Sequence, residues 1–171
     1  WARPSQVPAH GPGGRPGTGE GKVGWSLRDA GSHTQRMRPD RSVSGEVRSG
    51  EALDMLQAMN TGHDGSLTTL HANTPRDSIS RLETLVLMAG MELPSRAIRE
   101  QIASAINIII QLDRVPDGRR VVTSLAEVQG LEGDMVLLQD IFTFKTDGPG
   151  DPGALVSSGL RPSFVDRLRD R

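Results

Sequence analysis

The sequence predicts an α/β layer fold with an antiparallel β element appended to it. Three observations carry that prediction. Strand-like and helix-like patterns alternate from residue 42 to residue 112. One helix start near the middle of the chain is complete in its capping signals. Three strand-like runs joined by short turns fill residues 106–144.

The elements follow in order. Residues 1–25 are dominated by Gly and Pro and hold few large apolar side chains. Such a stretch buries too little surface to offset its ordering entropy and is expected to be loose. Residues 26–38, SLRDAGSHTQRMR, form a weak helix. Ser26 serves as its N-cap and Asp29 lies three residues on, but Gly31, Ser32 and Thr34 weaken it. Ser42–Val47, SVSGEV, reads as a short strand that Ser42 and Ser44 make a poor one. Glu51–Asn60 is helical, with Leu53, Leu56 and either Met59 or Gln57 near one stripe, and Gly62 just beyond its end. Ser66–His71 is a second strand.

Then comes the complete helix start: Thr74 as N-cap, Pro75 at the first helical position and Asp77 at the third. Ile79, Leu82, Val86 and Ala89 recur at helical spacing, and Gly90 closes the element. A further helix covers 95–105, with Ile98, Ile102 and Ala105 on one side. Ile106–Leu112 is expected to be a buried strand. Pro116-Asp117-Gly118 marks a turn. Arg120–Val128 and Met135–Phe144, separated by a turn over 130–134, complete an antiparallel meander. Residues 145–159 read as a Gly/Pro-rich linker and 163–168 as a short amphipathic end. The organisation is thus a loose segment over 1–25, a main domain over 26–144, and a flexible tail with a short terminal helix over 145–171.

Composition narrows the functional classes. Aromatic residues make up only 3% of the chain, so its core must rest on Leu, Ile, Val, Met and Ala. Met55, Met59, Met88 and Met91 are core fillers on this view. The net charge of -1 offers no general electrostatic case for nucleic acid or an anionic membrane. The absence of Cys excludes disulfides and thiolate metal sites and fits a reducing compartment. No apolar run approaches the ~20 residues that span a bilayer, and the start has no apolar leader. A first residue of Trp rather than Met suggests a fragment.

The chemistry-bearing residues are few. A phosphate-binding loop needs G-x-x-x-x-G-K-[ST], in which glycines let backbone N–H groups cradle phosphates and the lysine meets them. The chain has two lysines. Lys145 follows Phe144. Lys22 has Pro16 where the first Gly belongs and Val23 where Ser or Thr belongs. Neither qualifies. Glu46 follows Gly45 at a strand end, where a carboxylate can orient water, although a loop glutamate on the surface has the same local pattern. Arg48, two residues on, reads as a solvated charge or a salt-bridge partner. TGHDGSLTTLHAN places His63 and His71 eight residues apart, with small hydroxyl residues between them. An imidazole at a strand end can donate or accept near neutral pH. Zinc is disfavoured, because H-E-x-x-H is absent. Thr68 and Thr69 fit strand packing. Arg76 and Arg81 lie on the next helix, where a solvated face is the plainer reading.

The stretch MRPDRSVSGEVRSGEALDMLQAMNTGHDGSLTTLHANTPRDSISRLETLVLMAGMELPSRAIREQIASA, together with EVQGLEGDMVLLQDIFTF, SGLRPSFVDRL and RPGTGEGKVGWSLRD, resembles the type II/type IV secretion ATPase superfamily. Its best match there is the CpaF-like branch, the motors of Flp (tight-adherence) pili. The likeness covers roughly residues 15–168. It implies the C-terminal half of a RecA-like P-loop NTPase core with an appended antiparallel β meander. It implies that Glu46 is the Walker B carboxylate, which orients the attacking water and supports Mg²⁺ through water rather than as a direct ligand. It implies that His71 senses the γ-phosphate and that Arg48 and His63 lie near the nucleotide or a subunit interface. Arg76 or Arg81 would reach a neighbouring subunit's nucleotide. Arg36, Pro39 and Asp40 match the family's lead-in, whereas Ser42, Ser44, Thr34 and Gln35 depart from it.

The intact family uses ATP and Mg²⁺. It forms a homo-hexameric ring at the cytoplasmic face of the inner membrane, acts on a platform protein and takes no nucleic acid. The Walker A part has no match in this chain, so the chain alone is expected to bind nucleotide poorly and to be inactive. The rival is a non-catalytic remnant that contacts motor subunits or the platform. A conjugative transport ATPase of the same superfamily ranks third, because LEGDMVLLQDIF speaks against it.

Overall fold

A computed structural model describes residues 41–62, 65–90, 92–148 and 150–166. The expectations for residues 1–40 and for His63 and Met91 lie outside the described residues, among them the loose segment, the weak helix, Lys22 and Arg36. The described chain divides into two compact units. The first holds the described residues up to Leu70 together with Thr84–Glu92, and the second holds His71–Glu83 and the residues from Leu93 on.

The first unit is a strand–helix–strand crossover. β1 (Ser42–Val43) pairs in parallel with β2 (Ser66–Leu67), in the register Ser42↔Ser66 and Val43↔Leu67. Helix α1 (Glu51–Asn60) connects them, as parallel pairing requires. β1 is much shorter than the Ser42–Val47 strand expected. The extended pairing continues past it all the same, through Ser44 N–H to Leu67 O (2.9 Å) and Val47 N–H to Thr69 O (3.0 Å). Helix α1 buries Ala52, Leu53 and Leu56, one stripe of its surface. Its start has no side-chain cap. Gly50 there approaches Ala89 so closely that a Cβ would lie 3.1 Å from the Ala89 Cα. At its end, Gly62 takes φ +92°, as a helix stop requires.

In place of a cap, the Glu51 carboxylate turns back onto the preceding loop. It accepts the backbone N–H groups of Arg48 (2.7 Å) and Ser49 (3.1 Å), and also the Ser49 hydroxyl. Partial burial works to raise its pKa, but these donors outweigh burial and hold it below its ordinary value of about 4.5. A carboxyl depressed in the folded state adds stability above its unfolded pKa and loses it as pH falls through the folded one. The melting-temperature gap between the native chain and Glu51→Gln is therefore expected to be full above about pH 4.5 and to shrink below it. A gap independent of pH would contradict this.

Helix α2 (Pro75–Met88) starts as the sequence predicts. Thr74 Oγ1 accepts the Asp77 N–H at 3.0 Å, and Thr74 O accepts the Ser78 N–H at 3.0 Å. Such a cap is worth about 1 kcal/mol. The helix buries Ile79, Leu82, Leu85 and Val86 and stops at Gly90 with φ +76°.

In the second unit, α3 (Ser95–Ala105), in which Ile98 and Ile102 are buried, packs on a four-stranded antiparallel sheet. The sheet order is β3 (Ile108–Arg114), β4 (Arg120–Glu132), β5 (Met135–Lys145), β6 (Ala154–Ser157). Arg99 clamps this unit. Its guanidinium meets both Glu83 carboxylate oxygens (2.9 and 3.2 Å) and the Asp134 carbonyl (2.9 Å).

Three expectations are corrected by the structure. Met88, expected as a core filler, is 67% exposed at the end of α2. The apolar run 106–112 is not a buried strand. β3 begins at Ile108 and lies at the sheet edge, where Ile110 and Leu112 are 50% and 61% exposed; of its residues only Gln111 is buried, and its amide donates to Ala72 O at 3.1 Å. An apolar run specifies strand character, but the sheet order decides what covers it. The supposed linker after Lys145 contains β6, which pairs Phe144 with Leu155 and Phe142 with Ser157. Gly153 permits that return: it takes φ +66°, and a Cβ there would run into the Phe144 ring. The tail is tied further by Glu127. That carboxylate is 2% exposed and accepts the Ser163 N–H (2.9 Å) and hydroxyl (2.5 Å).

Candidate functional site

The polar residues expected to act fall into two groups, one in each unit. In the first unit the chain leaves β1 through Gly45 into Glu46. Its path is held from both sides, by the Thr69 hydroxyl on Gly45 O and by the Val47 N–H on Thr69 O. These bonds set the direction in which the Glu46 side chain departs. That side chain is only 20% exposed, and one of its oxygens, Oε2, receives two guanidinium N–H groups of Arg48, Nε at 2.6 Å and Nη2 at 2.5 Å. The Glu46 hydrogen bonds and charge raise the Arg48 pKa further. Arg48 is thus a salt-bridge partner and not a bare solvated charge.

In the second unit His71, Ala72, Asn73, Asp77 and Arg81 line an open cleft of about 380 Å³ at the start of α2. The cap at Thr74 fixes where the helix begins. It thereby places Asp77 in the first turn and Arg81 one turn further on, at the i,i+4 spacing that puts side chains on one face. The positive end of the helix dipole points toward the same region. His71, Asn73 and Arg81 supply hydrogen-bond donors, and Asp77 supplies the opposing charge.

The structure groups the predicted residues differently from the sequence. Glu46 and Arg48 form one pair, and His71 and Arg81 share the cleft. Arg76 does not line it; its Nη1 donates to Val136 O at 2.8 Å and fastens the start of α2 to β5. Asn73 and Asp77 were not singled out as site residues. The signal for Asn73 was its place between His71 and the cap. Asp77 has the sequence pattern of an ordinary first-turn acid. Among the described residues no group of three or more His, Asp or Glu converges to hold a metal ion.

The fold matches the crystal structure of the VirB11 ATPase of the Brucella suis type IV secretion system, solved with sulphate. The TM-score is 0.57 with 28% identity, over 60% of this chain and 32% of that one. This places the chain among α/β domains of the secretion-ATPase kind. The family model "Type II/IV secretion system protein" matches residues 5–134, so the chain belongs to that family. A candidate conjugal transfer protein of Mycobacterium tuberculosis is 39% identical over 146 residues, 85% of this chain. The conjugal transfer protein TrbB of Rhizobium radiobacter is 44% identical over 100 residues, 58% of this chain. The chain spans 39% of the length of the first relative and 28% of the second.

Proposed function

We propose that this chain supplies the water-positioning carboxylate and the phosphate-sensing imidazole of a secretion-motor ATPase, and that it does not turn over ATP by itself. The observation that carries this reading is Glu46: a mostly buried carboxylate just past a parallel strand, with Arg48 holding one oxygen. A carboxylate in that place can orient an attacking water. The cleft fits a phosphate group, because His71, Asn73 and Arg81 are donors gathered at a helix start. ATP and Mg²⁺ would supply the phosphoryl group and its counter-charge. This chain's part is to hold and orient, with Glu46 acting on Mg²⁺ through water and not as a ligand.

The chain's own residues support the proposal that it is inactive alone. None of its 171 residues complete G-x-x-x-x-G-K-[ST]. The CpaF-like pilus motor remains our preferred subtype, working as a hexamer on a platform protein at the cytoplasmic face of the inner membrane. Conjugal transfer stands beside it, because two relatives carry that name. The short β1 favours a second reading, a non-catalytic module that contacts motor subunits.

The purified chain is expected to show background ATPase activity, and Mg-ATP is expected to leave its melting temperature unchanged. Fusing it behind a segment that carries a complete G-x-x-x-x-G-K-[ST] loop with its strand and helix is expected to produce turnover. A correctly folded, assembled fusion without turnover would favour the non-catalytic module.

A further inference from the structure

We infer that Arg81, and not Arg76, is the cation that meets a phosphate beside His71, and that Asp77 is a built-in competitor that keeps this affinity low. The inference rests on the motor reading above and divides the work between two arginines that the sequence left equivalent. Both sit on α2. The Arg76 guanidinium is committed to Val136 O at 2.8 Å, a bond that fastens the helix to the sheet. Arg81 instead lines the cleft with His71, Asn73 and Asp77.

A phosphate there gains three kinds of donor: the forked guanidinium of Arg81, the carboxamide of Asn73 and the imidazole of His71. Asp77 opposes it. Its carboxylate stands one helical turn before Arg81, repels an anion and attracts the same guanidinium. The two do not form an ion pair among the described residues. Arg81 is therefore not held by Asp77, and an arriving phosphate meets the repulsion of the Asp77 charge rather than a bond it must break. An affinity kept low in this way suits a group that senses a phosphate and then releases it.

The test is a titration of the isotope-labelled 171-residue chain with inorganic phosphate at constant ionic strength. It reads the His71 ring and Arg81 Nε–H resonances by NMR. Phosphate is expected to shift both, and chloride at matched ionic strength neither. Arg81→Gln should weaken the apparent phosphate affinity read at His71 about tenfold. Arg81→Lys, which keeps the charge, should retain most of the response and guards against a folding defect in the first variant. Asp77→Asn should tighten binding by roughly threefold or more. Arg76→Gln should leave affinity within about twofold while lowering the melting temperature.

An unchanged response in Arg81→Gln would overturn the inference. So would loss of the response in Arg76→Gln with helix content preserved, or a chloride titration that reproduces the shifts. The readout needs no turnover. An Arg81-dependent phosphate response in a chain whose fusion is inactive would sink the motor reading alone. An active fusion whose His71 ignores Arg81 would sink this inference alone.

Discussion

Glu46→Gln in the turnover-competent fusion is expected to lower kcat about a hundredfold or more with little change in KM. Glutamine keeps the size of the side chain and one oxygen for the Arg48 guanidinium to meet. It loses the charge that Arg48 neutralises and that, on the proposed reading, holds a water for attack. The loss should therefore fall on the chemical step and not on nucleotide capture. Arg48→Gln is a useful companion. It leaves the carboxylate intact but removes both N–H groups from Oε2, so its effect reports how far Arg48 aims Glu46. If Glu46→Gln turns over ATP at the unsubstituted rate, Glu46 is not the water-positioning group, and that role belongs to another residue of the fusion.

Ile102→Ala is expected to destabilise the chain by about 3 kcal/mol, within the range of about 2–5 seen when a buried aliphatic side chain is truncated. Ile102 is fully buried on α3, the helix that packs on β4 and β5. Its removal loses transfer energy and leaves a cavity between rigid neighbours. Ile110→Ala is the control, because Ile110 is 50% exposed at the sheet edge and should cost below about 1 kcal/mol. Denaturant unfolding of both variants checks the pair. The midpoint should move for Ile102→Ala with an unchanged slope and scarcely move for Ile110→Ala. Equal losses at the two positions would mean that β3 is covered after all.

These two isoleucines show where sequence reading reached and where it stopped. Ile98 and Ile102 sit at i,i+4 within one amphipathic helix, and that spacing marks both as core before any neighbour is known. Ile108, Ile109 and Ile110 form a run whose composition indicates a strand. Composition carries nothing about which strand lies beside it. β6 was missed for the converse reason. ALVS is short, is flanked by Gly and Pro, and has no strongly buried face, so its strand state comes from the free edge of β5 and not from its own side chains. The site divides along the same line. Glu46 is a candidate because Gly-Glu ends a strand pattern in the sequence, and His71 because it ends another, although β2 itself stops at Leu67. Arg76 and Arg81 were indistinguishable as two cations on one helix until Val136 claimed the first.

Local order was settled by the sequence alone: the Thr74 cap with Pro75 behind it, the span of α3 and the meander turns. Each of these depends on side chains within a few residues of one another, so a linear reading contains the needed physics. The tertiary structure alone decided that β3 is an edge, that the tail returns as β6 and is held by Glu127, and which arginine faces the cleft. Those outcomes depend on partners dozens of residues away, such as Val136 for Arg76 and Ser163 for Glu127, and only the folded chain brings such groups within hydrogen-bonding distance.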